Sequence, residues 1–188
     1  MASASPRRAD LLRQIGVDPI VCPIGAAESQ QLKKGGAAQL VCENARLKAE
    51  TVYKLNPAPT GIIIGADTVV ILDGSLLGKP HNAADAVAML SALSGKTNTV
   101  HTGICLIDAA SGDGVFGSRS TMVRFATLSK DDIVHYVATG EPLDKAGGYG
   151  IQGMGGLFVE EISGDYGTVV GLSLPLLKKL ANELASIL

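Results

Sequence analysis

Apolar positions along this chain alternate between helical and strand spacing. Leu11, Leu12 and Ile15 share one helical face. Pro6 suits the first helical position, Ser5 before it suits the N-cap, and Gly16 stops the helix. Pro19–Pro23 predicts a short strand. Residues 37–55 have helical period, with Val41, Ala45, Val52 and Leu55 as the apolar stripe. Thr60–Leu72 is rich in Ile and Val and predicts a buried strand, interrupted near Gly65-Ala66-Asp67. Asp73-Gly74 is a two-residue hairpin turn leading to Leu76-Leu77. Asn82 caps a helix that carries Ala86, Val87, Leu90 and Leu93 and ends at Gly95. Val100–Ile107 and Val115–Phe125 are expected to pair across Ser111-Gly112-Asp113-Gly114. Ser129 caps a helix to Gly140, with Asp132 placed for a capping box. Glu141–Gly156 reads as a Gly-rich loop region. Leu157–Ile162 and Thr168–Leu172 predict strands around a Gly164-Asp165 turn, and a last helix runs from Pro175 to the end. The mixture predicts an α/β fold with a mixed twisted sheet and flanking helices.

Length sets the scale of this pattern. A chain of 188 residues makes one domain, or two small lobes sharing a cleft, and buries a core without staples. Apolar residues are 46% of the chain but aromatics only 4%, so the core is expected to be Leu, Val, Ile and Ala. A net charge of −2 argues against nonspecific binding of nucleic acid. Cys22, Cys42 and Cys105 have neither disulfide-framework nor zinc-type spacing. No apolar run approaches a membrane span, and no signal-peptide pattern is present. A reducing, cytoplasmic setting is the expectation.

Two motifs are decoys. Ser94-Gly95-Lys96-Thr97 imitates a P-loop tail, but Leu90 stands where the first glycine belongs, and the strand–helix order is reversed. Gly148-Tyr149-Gly150-Ile151-Gln152-Gly153 spells a dinucleotide fingerprint without a strand entering it or a helix leaving it. Its glycines are expected to let backbone approach a ligand.

The remaining candidates point to phosphate chemistry. Ser3-Ala4-Ser5-Pro6-Arg7-Arg8 puts two hydroxyls and two guanidinium forks at a helix start, where free N–H groups and the dipole attract anions. Asp67 is a carboxylate in an Ile/Val-rich strand, suited to a divalent metal or to taking a proton from water. Lys48 lies inside an apolar stripe, where a lysine must snorkel, pair or face a cavity. Lys79 and Lys145 sit in loops beside small or stiff residues and reach outward as phosphate contacts or as solvated lysines. Glu28 is a metal ligand or a surface acid. The Gln152 amide suits the donor–acceptor edge of a base or the bracing of its own loop.

Taken in order, these segments resemble the Maf-type nucleoside triphosphate pyrophosphatases, also called septum formation inhibitors. The likeness rests on the Ser3–Arg8 segment, Gly65-Ala66-Asp67-Thr68-Val69-Val70, Gly78-Lys79-Pro80, Leu93-Ser94-Gly95, Asp144–Gly153 and Val169-Val170-Gly171-Leu172. It covers nearly the whole chain. The resemblance implies one Maf-like domain over residues 1–188, with a fold like that of inosine triphosphate pyrophosphatases: a mixed sheet and two lobes around a cleft. It implies hydrolysis of dTTP and UTP to the monophosphate and pyrophosphate, with Mg²⁺ or Mn²⁺ as the divalent cation, a small-molecule nucleotide as partner, and a homodimer. Asp67 is then the catalytic proton acceptor. Ser3, Arg7, Lys48 and Lys79 contact phosphate, Glu28 and Asp67 hold metal, and Arg8, Thr68 and Gln152 set base specificity. The chain departs from the family pattern at Ala27, Asn98 and Ser173, and Met1 arrives where strand residues usually precede the Ser-Pro-Arg-Arg motif. The alternatives are a nucleotide-binding regulator of septum formation without turnover, and a pyrophosphatase for CTP or 7-methyl-GTP.

Overall fold

The protein is described by a computed structural model covering residues 1–25, 28–32, 35–55 and 60–188. Ala27 lies outside the described residues. Six α-helices are described: α1 (Pro6–Gln14), α2 (Gly36–Leu55), α3 (Ala83–Leu93), α4 (Lys130–Ala138), α5 (Tyr166–Val170) and α6 (Leu174–Ala185). Five strands, β1 (Ile62–Leu72), β2 (Ser75–Leu77), β3 (Thr97–Asp108), β4 (Gly114–Phe125) and β5 (Val159–Ser163), form one sheet in the order β2-β1-β3-β4-β5. β1 pairs with β2, and β4 with β5, in antiparallel register. The parallel pairing described is a bridge between Ala2 and Gly65.

Local signals decide most boundaries. Asn82 accepts a hydrogen bond from the Asp85 amide, and Ser129 and Asp132 form a reciprocal capping box. Asp73 and Gly74 both have positive φ, at 49° and 78°. That geometry matches the twist of the flanking strands and sets Leu72 opposite Ser75.

Three secondary-structure expectations fail. Residues 19–23 form no strand. β1 runs through Gly65-Ala66-Asp67 without interruption. Thr168–Val170 belongs to helix α5, because the Asp165 carboxylate accepts from the Thr168 amide and hydroxyl at 2.9 and 2.8 Å and starts a helical turn there. Apolar runs this short do not separate strand from helix by period.

The chain divides into two compact units. One comprises Met1–Thr68, Thr102–Arg119 and Gly171–Leu188; the other comprises Val69–His101 and Ser120–Val170. In the first, α2 lies directly on β1 and β3. A Cβ at Gly65 would run into the Ala45 carbonyl oxygen, and one at Gly103 into that of Val41. Two strand glycines thus let a helix backbone approach the sheet. Ala45, Ala49, Val52, Ile63 and Ile107 fill the core beneath it.

In the second unit, Leu90 and Leu93 of α3 and Ile133 of α4 share a core with Val70, Val100 and Val123. Contrary to the composition-based expectation, four of the scarce aromatics sit in this core. Phe125 meets Tyr149 edge-on at 4.7 Å between ring centroids, and Tyr136 meets Phe158 at 5.1 Å. Such pairs contribute about 0.5–1.5 kcal/mol each beyond buried area. Asn98 braces this core: its amide donates to Val123 O, and the Tyr149 hydroxyl donates to its oxygen, both at 3.1 Å.

Candidate active site

Helix α2 supplies half of the first unit's polar cluster. Its buried face carries Val41, Asn44, Ala45, Lys48, Ala49 and Val52. Asn44 and Lys48 are one turn apart on that face, so seating the helix on Gly65 aims both at β1. Asp67 receives them. Lys48 Nζ donates to Asp67 Oδ1 at 2.8 Å, and Asn44 Nδ2 donates to Asp67 Oδ2 at 2.9 Å. Asp67 is 5% exposed and Lys48 6%, so water screens this ion pair little. Lys48 also donates to Ala66 O at 3.2 Å and pairs with Glu28 Oε1 at 3.0 Å. All three ammonium hydrogens are therefore matched to acceptors.

The second half is built at the open edge of β1. β2 reaches no further along β1 than Val70. The N-terminal segment takes over that edge, with Ala2 N donating to Ile64 O at 2.7 Å. Two residues on, Ala66 O accepts from Lys48 and, at 3.0 Å, from Arg8. One backbone carbonyl thus holds two cations. Arg8 is buried and also donates to Ser3 Oγ at 2.9 Å, Gly171 O at 2.8 Å and Thr68 Oγ1 at 3.0 Å. Burial pulls its guanidinium down from the ordinary arginine value, opposed by the Asp67 and Glu28 carboxylates.

Ser3, Arg8, Glu28, Lys48, Asp67 and Thr68, predicted from distant parts of the sequence, are therefore brought together. Arg7 is half-buried in the first turn of the same helix as Arg8. Ser5 occupies the N-cap position, but its hydroxyl caps nothing; its amide donates to Ser3 Oγ at 3.2 Å. Lys79 and Gln152 belong to the second unit, and both are exposed. The loop carrying Lys79 is held by Gly147 N donating to Gly78 O at 2.9 Å. Lys145 is turned inward, donating to Glu141 O at 2.7 Å and Asp144 Oδ1 at 2.6 Å.

Two residues of the cluster escaped sequence reasoning. Asn44 ties Asp67 to the segment bearing Glu28, donating to Ser29 O at 3.1 Å and accepting from Ser29 N at 2.9 Å. Its signal was present: a polar residue on the apolar stripe, four before Lys48. Thr102, fully buried, shares a 2.9 Å hydrogen bond with Thr68. A threonine in a strand gave no such signal.

This assembly of serine, arginine, lysine and aspartate comes from a chain whose residues 1–184 match the family described as Maf-like protein. The chain belongs to that family. Among similar proteins, a dTTP/UTP pyrophosphatase of Gloeobacter violaceus is 48% identical over 97% of this chain and 94% of its own. A nucleoside triphosphate pyrophosphatase of Salinispora tropica is 46% identical over 98% of this chain and 82% of its own. A dTTP/UTP pyrophosphatase of Desulforamulus reducens is 44% identical, over 98% and 93%.

Enzymes with such names generally use divalent metals, so the donors of this Maf-like chain can be tested for fit. Among the described residues, no three of His, Cys, Asp and Glu converge as a closed metal cage. Asp67 and Glu28 do converge, on one ammonium. One or two carboxylates completed by substrate phosphates is the usual donor set for Mg²⁺, and these two fit it. No helix among the described residues is long and apolar enough to cross a membrane.

Proposed function

We propose that this chain hydrolyses dTTP and UTP to the nucleoside monophosphate and pyrophosphate. The observation that carries the reading is the buried Asp67 carboxylate, held at the open edge of β1 by Lys48 on one oxygen and Asn44 on the other. A carboxylate has about four lone-pair sites, so each oxygen keeps capacity for another contact. Asp67 accepts a proton from water as the water oxygen attacks the α-phosphorus. The bond from that phosphorus to the bridging oxygen breaks, and pyrophosphate leaves with its electron pair.

Arg7 and Ser3 hold phosphate oxygens, and Lys48 joins them by exchanging its contact to the exposed Glu28 for one; catalysis of this kind is mostly positioning and charge. Glu28 and Asp67 would hold a divalent cation, Mg²⁺ or Mn²⁺, which when bound would supply neutralisation of the phosphate charge. Gln152 reads the base, and Thr68 serves base specificity from the first unit. Arg8 serves specificity by holding Thr68, because four of its donor contacts are already made within the protein.

The test is pyrophosphate release from UTP, dTTP, CTP, GTP, ATP and 7-methyl-GTP, with Mg²⁺ or Mn²⁺ and with chelator. Metal-dependent turnover confined to UTP and dTTP, and lost by about 10²–10⁴-fold in Asp67→Asn, is expected. Turnover centred on CTP or 7-methyl-GTP refutes the base assignment. Nucleotide binding without turnover by folded protein refutes the enzyme reading in favour of a regulator.

A further inference from the structure

The glycines after Tyr149 converge on a single anchor. Gly150, Gly153 and Gly155 are the residues concerned. A Cβ on Gly153 would lie 2.5 Å from Glu141 Cδ, one on Gly150 would lie 3.0 Å from Glu141 Oε1, and one on Gly155 would lie 2.6 Å from Tyr136 Oη. The space these glycines leave is filled by protein side chains.

The contacts are hydrogen bonds as well as close packing. Tyr136 Oη donates to Glu141 Oε1 at 2.9 Å and accepts from Gly150 N at 3.1 Å. Gly155 N donates to the same Glu141 oxygen at 3.3 Å, and Met154 N to Oε2 at 3.0 Å. Lys145 closes the other side, with its ammonium on Glu141 O. Gly153 N donates to Gly150 O at 3.2 Å, so Ile151 and Gln152 are the corners of a β-turn. Both ends of that turn lean on the Glu141–Tyr136 pair, and its exposed corner is Gln152.

We infer that Glu141, with the Tyr136 hydroxyl, is a specificity-determining positioning residue that fixes the Gly150–Gly153 turn and so aims the Gln152 amide. This rests on the reading of Gln152 as a base reader. An amide discriminates uracil from cytosine through the direction of its donor and acceptor, so an unanchored turn loses discrimination before it loses turnover. A purely structural role for Glu141 predicts otherwise: both substrates suffer alike.

The experiment compares kcat/KM for UTP and CTP in the wild type and in Glu141→Ala, Glu141→Gln, Tyr136→Phe and Gln152→Glu. The ratio of the two constants does not depend on the folded fraction, so partial misfolding cannot imitate the effect. Glu141→Ala is expected to lower the UTP-over-CTP ratio about tenfold, the order set by losing hydrogen bonds to a charged group. Its kcat on UTP changes by less than about threefold, and KM takes the rest. Glu141→Gln, which keeps one acceptor oxygen, retains most of the preference. Tyr136→Phe, which keeps the ring against Phe158, falls between them.

Should Glu141→Ala not fold, Tyr136→Phe carries the comparison, with a lowered ratio expected, and Glu141→Gln is its conservative control. An unchanged ratio in Glu141→Ala and Tyr136→Phe, while Gln152→Glu shifts it, overturns the inference and leaves Gln152 as reader. An unchanged ratio in Gln152→Glu removes the reading itself, and the inference falls with it.

Discussion

Replacing Lys48 with Met removes the ammonium on which Asp67, Glu28 and Ala66 O converge, while keeping an unbranched aliphatic stem on the buried face of α2. The Lys48–Asp67 pair is almost wholly out of water, with side chains 8% and 7% exposed. Breaking such a pair from one side leaves an uncompensated buried charge and costs about 3–5 kcal/mol. The contact to Glu28, 36% exposed, adds little because solvent screens it. Asn44 remains to donate to Asp67 Oδ2, which places the loss toward the lower half of that range. Asp67→Asn alone keeps an oxygen for Lys48 but sets an amide against the Asn44 amide, costing about 1–3 kcal/mol. In the double variant no buried charge is stranded, so its loss is expected to fall at least about 1 kcal/mol short of the sum. Urea unfolding of the four proteins measures this cycle. Additivity within about 0.5 kcal/mol, or a Lys48→Met cost below about 1 kcal/mol, refutes the argument that the pair acts as one buried unit.

Three further outcomes are expected. Gly65→Ala drives a methyl into the Ala45 carbonyl and lies 3.0 Å from Ala49 Cβ, so it costs about 2 kcal/mol or more in urea unfolding, whereas Gly25→Ala, with open space around the new carbon, stays within about 0.5 kcal/mol. The Ser129 hydroxyl and amide hold the Asp132 carboxyl below its ordinary value, so its stabilisation is present above about pH 3.9 and is lost as pH falls through the lowered folded value; the stability gap between wild type and Asp132→Asn, measured from pH 7 to pH 2, is expected to close over that acid range. Burial pushes the Cys105 thiol up to about 12, so native protein at pH 8 leaves Cys105 unlabelled by a thiol reagent until it is unfolded, as peptide mass mapping would read.

Much of the site was legible in order but not in arrangement. The Ser3–Arg8 segment, Lys48 and Asp67 each stood out as a polar residue where apolar spacing or helix-start chemistry left it unexplained. The backbone around Asp67 was misread. The sequence suggested a broken strand at Gly65-Ala66; the structure keeps the strand and uses Gly65 to admit α2. Arg8 read as a phosphate fork, yet its contacts include Gly171, 163 residues away. Neither a helical period nor a cap signal reports a partner at that separation.

The sequence by itself determined the helices with caps, the Asp73-Gly74 hairpin, the β3–β4 pairing and most of the charged residues that cluster around Asp67. These depend on interactions within a few residues, where spacing maps directly onto geometry. Only the tertiary structure decided that Asn44 and Thr102 complete the cluster, that Thr168 lies in a helix, and that the glycines of the 150–155 turn make room for Glu141 and Tyr136. Each of those outcomes depends on which backbone is free to approach which. Close approach is set by the packing of elements far apart in the chain, so it leaves no period to read.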